Sequence, residues 1–497
     1  MSDLRVIERK KQVWRWAGWA LMVLAPWLQL AAMSLVLGKN AFATYPVWSD
    51  ELDYWRNLYN LIHVGMPKGY SGVWESVPSV GMLSVHGITP LLLYGGFTSL
   101  FGLGYHSILL FNALWISLAA LVFCAAVKPK PMLSLTLTGM LMVFVPAILY
   151  CATSMTEQFN YAVLLFFLAF ILRRHKTGSK WALFFAWLTT IVACLYRITY
   201  LVLFIPLVWE AGDKRFGKKF LLNGVVAVAI SLGLWAFTNM VSAPYPASFL
   251  YNWFREGNIN TAISMFLSHA KANLYDYFIR PTASPMQDAM HWLYTASTVL
   301  CLLASFVRTE KKDGFQLRLG MDWLSFGCFL MLFLPFAMVI MFYETNDWAD
   351  FRTLAPFVWG VAAMLMANRR KVVPGFIMLG SITMLVWLCM TPPVGMFEDE
   401  YRFTPAPYSD ELALVCQTLA YTPDAEDPWL NTIRTDMNTL QVLTEVPPGM
   451  GLMYGWFTPE NTGKSHWILT DHLKIVVEGY EPVATVRGAK VYRKVQE

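Results

Sequence analysis

The chain has 497 residues, of which 56% are hydrophobic and 14% are charged, and its formal net charge is +5. A soluble core cannot bury so large an apolar fraction, so the composition excludes an ordinary soluble globular protein and predicts a polytopic membrane protein. Lys and Arg lie in short clusters between apolar segments. That is the pattern of cytoplasmic loops, so no nucleic-acid partner is predicted.

The first apolar run, 16–37, is long enough to be a membrane anchor, because ~20 residues span a bilayer. The basic residues that precede it are Arg5, Arg9, Lys10, Lys11 and Arg15. By the positive-inside rule they place the N-terminus in the cytoplasm. The segment after the run is therefore expected on the extracytoplasmic side.

An acidic stretch, Ser49-Asp50-Glu51-Leu52-Asp53-Tyr54-Trp55-Arg56, follows this first span. Acids in the first turn of a helix are favoured by its free N–H groups and its dipole, so a capping role would explain Asp50 and Glu51. A chemical role would explain them equally well. The stretch alone leaves both interpretations open.

The later apolar runs, together with the basic clusters between them, predict about eleven spans. After the first span they are 105–127, two in 132–172, two in 181–209, then 220–238, 291–307, 321–342, 354–367 and 374–390. The two double runs place Glu157 and Arg197 at buried outer turns. A charge there is costly unless it faces a wet cavity, an anion or a partner, so the two should pair or line a site.

The segment 88–103 is apolar but glycine-containing, and His86 and His106 flank it instead of Lys or Arg. A crossing here would reverse the side of every later loop, so we predict an interfacial helix on the outer leaflet. Three loops are then predicted on the extracytoplasmic side: a first loop at 39–104, a second at 240–290 and a short acidic loop at 344–352.

The last hundred or so residues are richer in Pro, Asp and Glu, and alternating patterns occur there. A helix is predicted at 409–421 and strands at 451–456, 467–470 and 483–493. The predicted fold class is an all-α polytopic membrane protein with a small C-terminal α+β domain. The predicted domains are a membrane module, 1–393, and a soluble extracytoplasmic domain, 394–497.

Several features of the chain resemble the integral-membrane C-type (GT-C) glycosyltransferases. An acidic pair directly follows the first span and opens a long loop, a second acid lies at an outer turn after the third span, an arginine precedes a Pro-bearing span, and the chain ends in a soluble α+β domain. Members of this superfamily use polyprenyl-phosphate sugars and include protein mannosyltransferases, aminoarabinose transferases and bacterial cell-wall and O-antigen glycosyltransferases. The resemblance implies a multi-pass enzyme of the cytoplasmic membrane that modifies cell-envelope polysaccharide.

The resemblance also implies roles for individual residues. Asp50 matches the catalytic carboxylate that deprotonates the acceptor hydroxyl, Glu51 would orient the acceptor or Asp50, and Glu157 is the second acid. The candidates for binding the donor phosphate are Arg56, Lys68, Arg197 and Arg352, because guanidinium and ammonium groups stabilise a phosphate leaving group. No cofactor is predicted: a divalent metal is chemically conceivable, but neither the lone Glu157 nor the histidines His63, His86 and His106 indicate one.

The predicted activity is transfer of a sugar, with inversion, from a polyprenyl-phosphate donor to an acceptor hydroxyl on the extracytoplasmic face. The predicted partners are this donor, a saccharide or lipid acceptor, and the bilayer. Two alternatives stay open. A flippase or carrier of lipid-linked saccharide would use the same cations without a base, and a non-catalytic envelope assembly protein would act through its C-terminal domain.

Overall fold

The computed structural model describes residues 2–65, 71–73, 88–242, 257–281, 285–311, 315–319, 323–342, 352–367, 372–390, 402–403, 427, 429–435, 446, 448–454, 465–470, 479–486 and 489–495. The helices within these ranges are α1 (Ser2–Leu37), α2 (Ser49–Val64), α3 (Ile88–Phe101), α4 (Ser107–Val127), α5 (Pro131–Val143), α6 (Val145–Cys151), α7 (Glu157–Thr177), α8 (Lys180–Tyr196), α9 (Phe204–Ala211), α10 (Lys218–Val241), α11 (Ile259–Phe278), α12 (Pro285–Ala304), α13 (Trp323–Phe342), α14 (Ala355–Ala367) and α15 (Val372–Met390).

These helices form a membrane-protein architecture. Three of them contain apolar stretches long enough to cross a bilayer, at Gln12–Leu37, Ser107–Val127 and Lys218–Val241. Helices α5 and α6 meet at 60° and would make a fourth crossing if they form one broken span. Shorter apolar helices fill out the bundle. The predicted all-α membrane fold is confirmed, whereas the number of eleven crossings stays a prediction.

Helix α7 is the centre of the bundle. It is buried along most of its length and packs against α4, α8 and α14. The contact with α14 is close because Gly360 has no side chain: a Cβ there would lie 3.2 Å from Leu164 Cδ1. This packing brings the first residue of α7, Glu157, under the segment that precedes α14.

The second double run is interrupted at Arg197, as the sequence predicts. Helix α8 ends at Tyr196, Arg197 is extended (φ −141°, ψ 127°), and a 3₁₀ segment, Ile198–Leu203, leads into α9. The break releases backbone groups and turns the guanidinium out of the helix. The backbone at Arg197 is therefore non-helical inside a predicted membrane segment. Membrane proteins tolerate non-helical backbone where it is buried in protein or lines a water-filled cavity.

Two segments predicted on the extracytoplasmic side, 240–290 and 88–103, contain helices. The region 240–290 was predicted as a loop, but α11 occupies much of it and packs on α13, where Asn273 Nδ2 donates to the carbonyl of Ile340 at 2.9 Å. The segment 88–103 is helical as predicted, and α3 packs on α2 and α8. Its depth in the bilayer remains a prediction.

The basic region after α12 contains a β-hairpin. Its strands are β2 (Val307–Lys311) and β3 (Phe315–Leu319), and they pair antiparallel. The basic residues of this region indicate a loop and give no signal for paired strands, so the sequence does not predict the hairpin.

The other described strands form a six-stranded mixed sheet. Its strands are β1 (Ser71–Val73), β4 (Thr432–Thr435), β5 (Gly451–Tyr454), β6 (Trp467–Thr470), β7 (Tyr480–Val486) and β8 (Ala489–Lys494), in the order β1-β5-β4-β6-β8-β7. The strands β1, β5, β4 and β6 are parallel, and β6, β8 and β7 are antiparallel. Strand β1 comes from the first loop, so the sheet is built from both predicted domain ranges.

The strand predictions for the C-terminal region were partly right. The strand at 467–470 is confirmed. Of the strand predicted at 451–456, the part 451–454 is present as β5, and 455–456 lie outside the described residues. The single strand predicted at 483–493 is wrong: β7 and β8 are two antiparallel strands on either side of Arg487-Gly488. The helix predicted at 409–421 lies outside the described residues.

Asp427 and His466 form an ion pair at the start of the sheet. Asp427 accepts hydrogen bonds from the Trp429 N–H and from His466 Nε2, both at 2.9 Å. Burial alone would raise the pKa of the Asp427 carboxyl, but these two donors hold the pKa below its usual range. A carboxyl whose pKa is lower in the folded state stabilises the fold above its unfolded pKa of ~3.9 and loses that contribution as the pH falls.

We expect Asp427→Asn to lower the thermal midpoint of the purified protein modestly at pH 7 and to have a smaller effect near pH 3. The pair is partly exposed, so a loss of about 1 kcal/mol or less is expected. Scanning calorimetry at the two pH values measures this difference. An equal deficit at both pH values would contradict the assignment.

Candidate active site

Four charged side chains from distant segments meet above the N-terminus of α7. Arg352 Nη2 lies 2.5 Å from Asp50 Oδ2, and Arg352 Nε lies 3.4 Å from Glu157 Oε1. Arg197 Nη2 approaches the same Glu157 oxygen at 2.9 Å. Asp50, Glu157, Arg197 and Arg352 therefore form one continuous cluster of ion pairs, which we call the charge cluster.

The charge cluster is buried at one end and open at the other. The Glu157 side chain is 3% exposed, whereas that of Asp50 is 23% exposed. Glu157 Oε1 serves both guanidinium groups, and Glu157 Oε2 is buried without a hydrogen-bond partner among the described residues. The accessible part of the cluster is therefore the pair of Asp50 and Arg352.

The electrostatics of the charge cluster keep Arg352 charged. Burial alone would lower the pKa of Arg352, but the Glu157 and Asp50 carboxylates outweigh burial and raise that pKa. Each guanidinium also lies over an aromatic ring: Arg352 is 5.8 Å from the ring of Tyr150, and Arg197 is 5.1 Å from that of Tyr196. Cation–π contacts of this kind hold the guanidinium planes in place.

The turn before α7 is fixed by three separate elements. Asn112 of α4 donates to the Met155 carbonyl at 2.8 Å, and Tyr196 of α8 donates to the Thr156 carbonyl at 2.9 Å. The Ser154 N–H donates to Glu51 Oε1 of α2 at 2.7 Å. The helix that starts here has an acid, Glu157, as its first residue, where the helix dipole favours an anion. These hydrogen bonds to the backbone of the turn fix the position of Glu157, and the Glu157 side chain takes no part in them.

Glu51 lies in a different environment from its neighbour Asp50. Its carboxylate accepts hydrogen bonds from Arg402 Nη1 at 3.0 Å and Nη2 at 3.1 Å, and neither side chain is exposed to solvent. It also accepts hydrogen bonds from the N–H groups of Val47 and Trp48 at 3.1 Å. Of the two predicted roles for Glu51, this geometry favours positioning of the Asp50 segment.

Arg56 does not join the charge cluster. Its guanidinium is buried and donates to the carbonyls of Val446 at 2.5 Å and Met450 at 3.0 Å, beside the sheet. One turn later, Asn60 Oδ1 accepts from the Gly449 N–H at 2.9 Å. These contacts join α2 to the C-terminal region, and a role for Arg56 in donor binding stays a prediction.

The remaining candidates are Lys68 and the histidines. Lys68 lies outside the described residues, and so does His86. His63 is exposed at the end of α2 and interacts with the Tyr59 carbonyl within its own helix. Within the described part of the chain, no group of three or more His, Cys, Asp or Glu could hold a metal ion. That the protein needs no metal stays a prediction.

Tyr54 is a site residue that the sequence analysis missed. It lies one helical turn after Asp50, on the same face of α2, and is buried. Burial raises the pKa of its phenol, and the nearby Glu157 carboxylate raises it further. Tyr54 is therefore a protonated hydroxyl beside the charge cluster. The i, i+4 spacing from Asp50 was the available signal.

The chain was compared with known proteins by sequence and by structure. No protein-family model matches it, and no curated protein matches it by sequence. Two solved structures share its fold. ArnT from Cupriavidus metallidurans bound to undecaprenyl phosphate is 12% identical with a TM-score of 0.50, over 94% of this chain and 97% of that chain. AglB from Archaeoglobus fulgidus, an archaeal oligosaccharyltransferase in complex with an inhibitory peptide and a dolichol-phosphate, is 12% identical with a TM-score of 0.51, over 93% of this chain and 70% of that chain.

Proposed function

This chain has the GT-C glycosyltransferase fold, and from that premise we propose that it transfers a sugar from a polyprenyl-phosphate donor to an acceptor hydroxyl. One observation carries the proposal: Asp50, Glu157, Arg197 and Arg352 converge in one half-open cluster. A base and two cations side by side match the needs of a displacement at an anomeric carbon with a phosphate leaving group.

The donor phosphate would bind at the two guanidinium groups. Arginine binds phosphate oxygens in a bidentate manner, and Arg352 and Arg197 both contact Glu157 Oε1, so their charges are concentrated in a small space. Their present carboxylate partners occupy the directions in which phosphate oxygens would bind. The lipid phosphates named with ArnT and AglB support a donor of this class.

Donor binding would also free the base. One oxygen of Asp50 is held by Arg352. The donor phosphodiester, which carries one negative charge and two free oxygens, would compete with Asp50 for that guanidinium. The acceptor oxygen would then attack the anomeric carbon while its proton moves to Asp50. The bond between that carbon and the phosphate oxygen breaks, and the departing phosphate keeps the electron pair and is stabilised by the arginines. A single displacement inverts the anomeric configuration.

The site would face the extracytoplasmic side of the cytoplasmic membrane. The basic residues Arg173, Arg174 and Lys176 lie at the end of α7, and Glu157 is at its start. By the positive-inside rule the basic end is cytoplasmic, so the charge cluster and the sheet beside α2 lie outside. The acceptor would approach Asp50 from that outer side.

The direct test is a transfer assay with purified protein. Radiolabelled polyprenyl-phosphate sugars are incubated with the protein and a cell-envelope extract, and we expect label to move from the lipid to an acceptor and undecaprenyl phosphate to be released. Movement of intact lipid-linked saccharide across proteoliposomes, with no bond cleavage, would contradict the proposal and favour a carrier.

We expect Arg197→Gln to weaken binding of undecaprenyl phosphate by about 10- to 150-fold, because a hydrogen bond to a charged group contributes about 1.5–3 kcal/mol. Arg197→Lys should recover part of the affinity, since it keeps a point charge. Microscale thermophoresis in detergent measures both. Arg493→Gln, on the distant sheet, is the control, and thermal midpoints exclude misfolding. Wild-type affinity in the Gln variant would remove Arg197 from the donor site.

A further inference from the structure

The bundle carries a second organised group of charges, at the end opposite the charge cluster. Helix α7 begins at Glu157 and ends at Thr177, and its 21 residues span about 30 Å at 1.5 Å per residue. Helix α8 begins at Lys180 and returns to Arg197. The turn between α7 and α8 therefore lies one membrane thickness away from the proposed active site.

Arg174 joins this turn to the turn between α9 and α10. Its guanidinium donates to the Gly178 carbonyl in the first turn, and to the Glu210 carbonyl at 3.2 Å and Asp213 Oδ1 at 3.0 Å beside the second. Asp213 also accepts from Lys219 Nζ at 2.7 Å. Asp213 and Lys214 both have left-handed backbone angles, with φ values of 55° and 60°. These contacts hold the second turn in a strained, defined shape against the first.

Four other cations on the same two turns point outward. Arg174, Lys214 and Lys219 all bind protein groups. By contrast, four exposed cations have no hydrogen-bonded or ion-paired partner for their side chains within the described part of the chain: Lys176, Lys180, Arg215 and Lys218. The internal acids are thus already neutralised, and the outward surface has an excess of positive charge.

Exposed aromatic and aliphatic side chains adjoin these cations. Trp181 follows Lys180 and is 74% exposed, and Phe216 follows Arg215 and is 67% exposed. One turn into α10, Leu221 and Leu222 are also exposed, on a helix long and apolar enough to cross a bilayer. Cations directly bordering an apolar surface match the boundary between phosphate headgroups and acyl chains.

We propose that the two turns, 177–180 and 212–218, together form a binding surface for anionic phospholipid headgroups in the leaflet opposite the charge cluster. The lipid phosphate binds Lys180 and Lys218 at the starts of α8 and α10, and Trp181 and Phe216 lie beside its glycerol and upper acyl region. The exposed apolar surface of α10 favours a lipid over a free anion. This inference does not depend on the proposed sugar transfer.

The test uses the full-length protein in a neutral detergent, with added phosphatidylglycerol or phosphatidylcholine of the same acyl chains. We expect phosphatidylglycerol to raise the thermal midpoint and to remain bound in native mass spectra, whereas phosphatidylcholine and inorganic phosphate have little effect. Lys180→Gln with Lys218→Gln should weaken phosphatidylglycerol binding by about 25-fold, since each surface cation contributes about fivefold.

Lys128→Gln with Lys130→Gln is the matched control. These exposed lysines lie in the turn between α4 and α5, outside the surface held by Arg174. The control pair should bind phosphatidylglycerol like the unmodified protein. The proposal is overturned if both double variants lose affinity equally, because general charge would then explain the binding, or if phosphate alone stabilises the protein as well as the lipid does.

Discussion

Replacement of Asp50 by Asn is expected to reduce sugar transfer by about 10²- to 10⁴-fold, the contribution typical of a general base. An amide is close to a carboxylate in size and can still accept a hydrogen bond from Arg352, which now lies 2.5 Å from Asp50 Oδ2. It cannot take the proton of the acceptor hydroxyl. The rate of transfer should therefore fall while donor binding and the thermal midpoint change little.

Asp53→Asn is the matched control for this experiment. Asp53 lies one turn further along α2, is buried, and accepts a hydrogen bond from Asn57 Nδ2 at 2.9 Å. It is not part of the charge cluster, so its amide variant should keep most of the transfer rate. The assignment of Asp50 as base fails if Asp50→Asn retains full activity, or if the two variants lose activity to the same extent.

The central feature of the site could be predicted from the sequence because charge in a membrane segment is costly. Glu157 and Arg197 lie in apolar runs between basic flanks, and each run had to reverse direction near its charged residue. This reversal predicts a broken helix at Arg197 and a pairing of the two charges. In the structure Arg197 Nη2 lies 2.9 Å from Glu157 Oε1. A charge buried in a membrane segment needs an opposite charge or a wet cavity beside it, which leaves few possible arrangements of the chain.

The contacts of the first loop could not be predicted in the same way. Glu51 pairs with Arg402, which is 351 residues away, and Arg56 contacts carbonyls at Val446 and Met450. Many charged residues and carbonyl groups in the loops could pair with Glu51 and Arg56 equally well. The sequence therefore gives no reason to choose Arg402 or the two carbonyls as their partners. Strand β1 was missed for a related reason: three residues, Ser71–Val73, show no periodicity and become a strand only beside β5.

The pairing of Glu51 with Arg402 leads to a prediction about stability. Both side chains are fully buried, and removal of one partner from a buried ion pair typically costs about 3–5 kcal/mol because the remaining charge is left uncompensated. We therefore expect Arg402→Ala to lower the thermal midpoint strongly. Transfer should also fall, because Glu51 bonds the N–H groups of Val47, Trp48 and Ser154 and thereby places Asp50.

Two comparisons separate this effect from a general loss of charge. Arg493→Ala breaks an exposed pair with Glu481, for which about 1 kcal/mol or less is expected. In the double variant Glu51→Gln with Arg402→Met neither of these two buried positions carries a charge. This double variant should therefore be more stable than Arg402→Ala alone. If the double variant is the less stable of the two, Arg402 acts through packing and not through the charge of Glu51. If it regains stability without transfer, Glu51 positions Asp50 in addition to stabilising the fold.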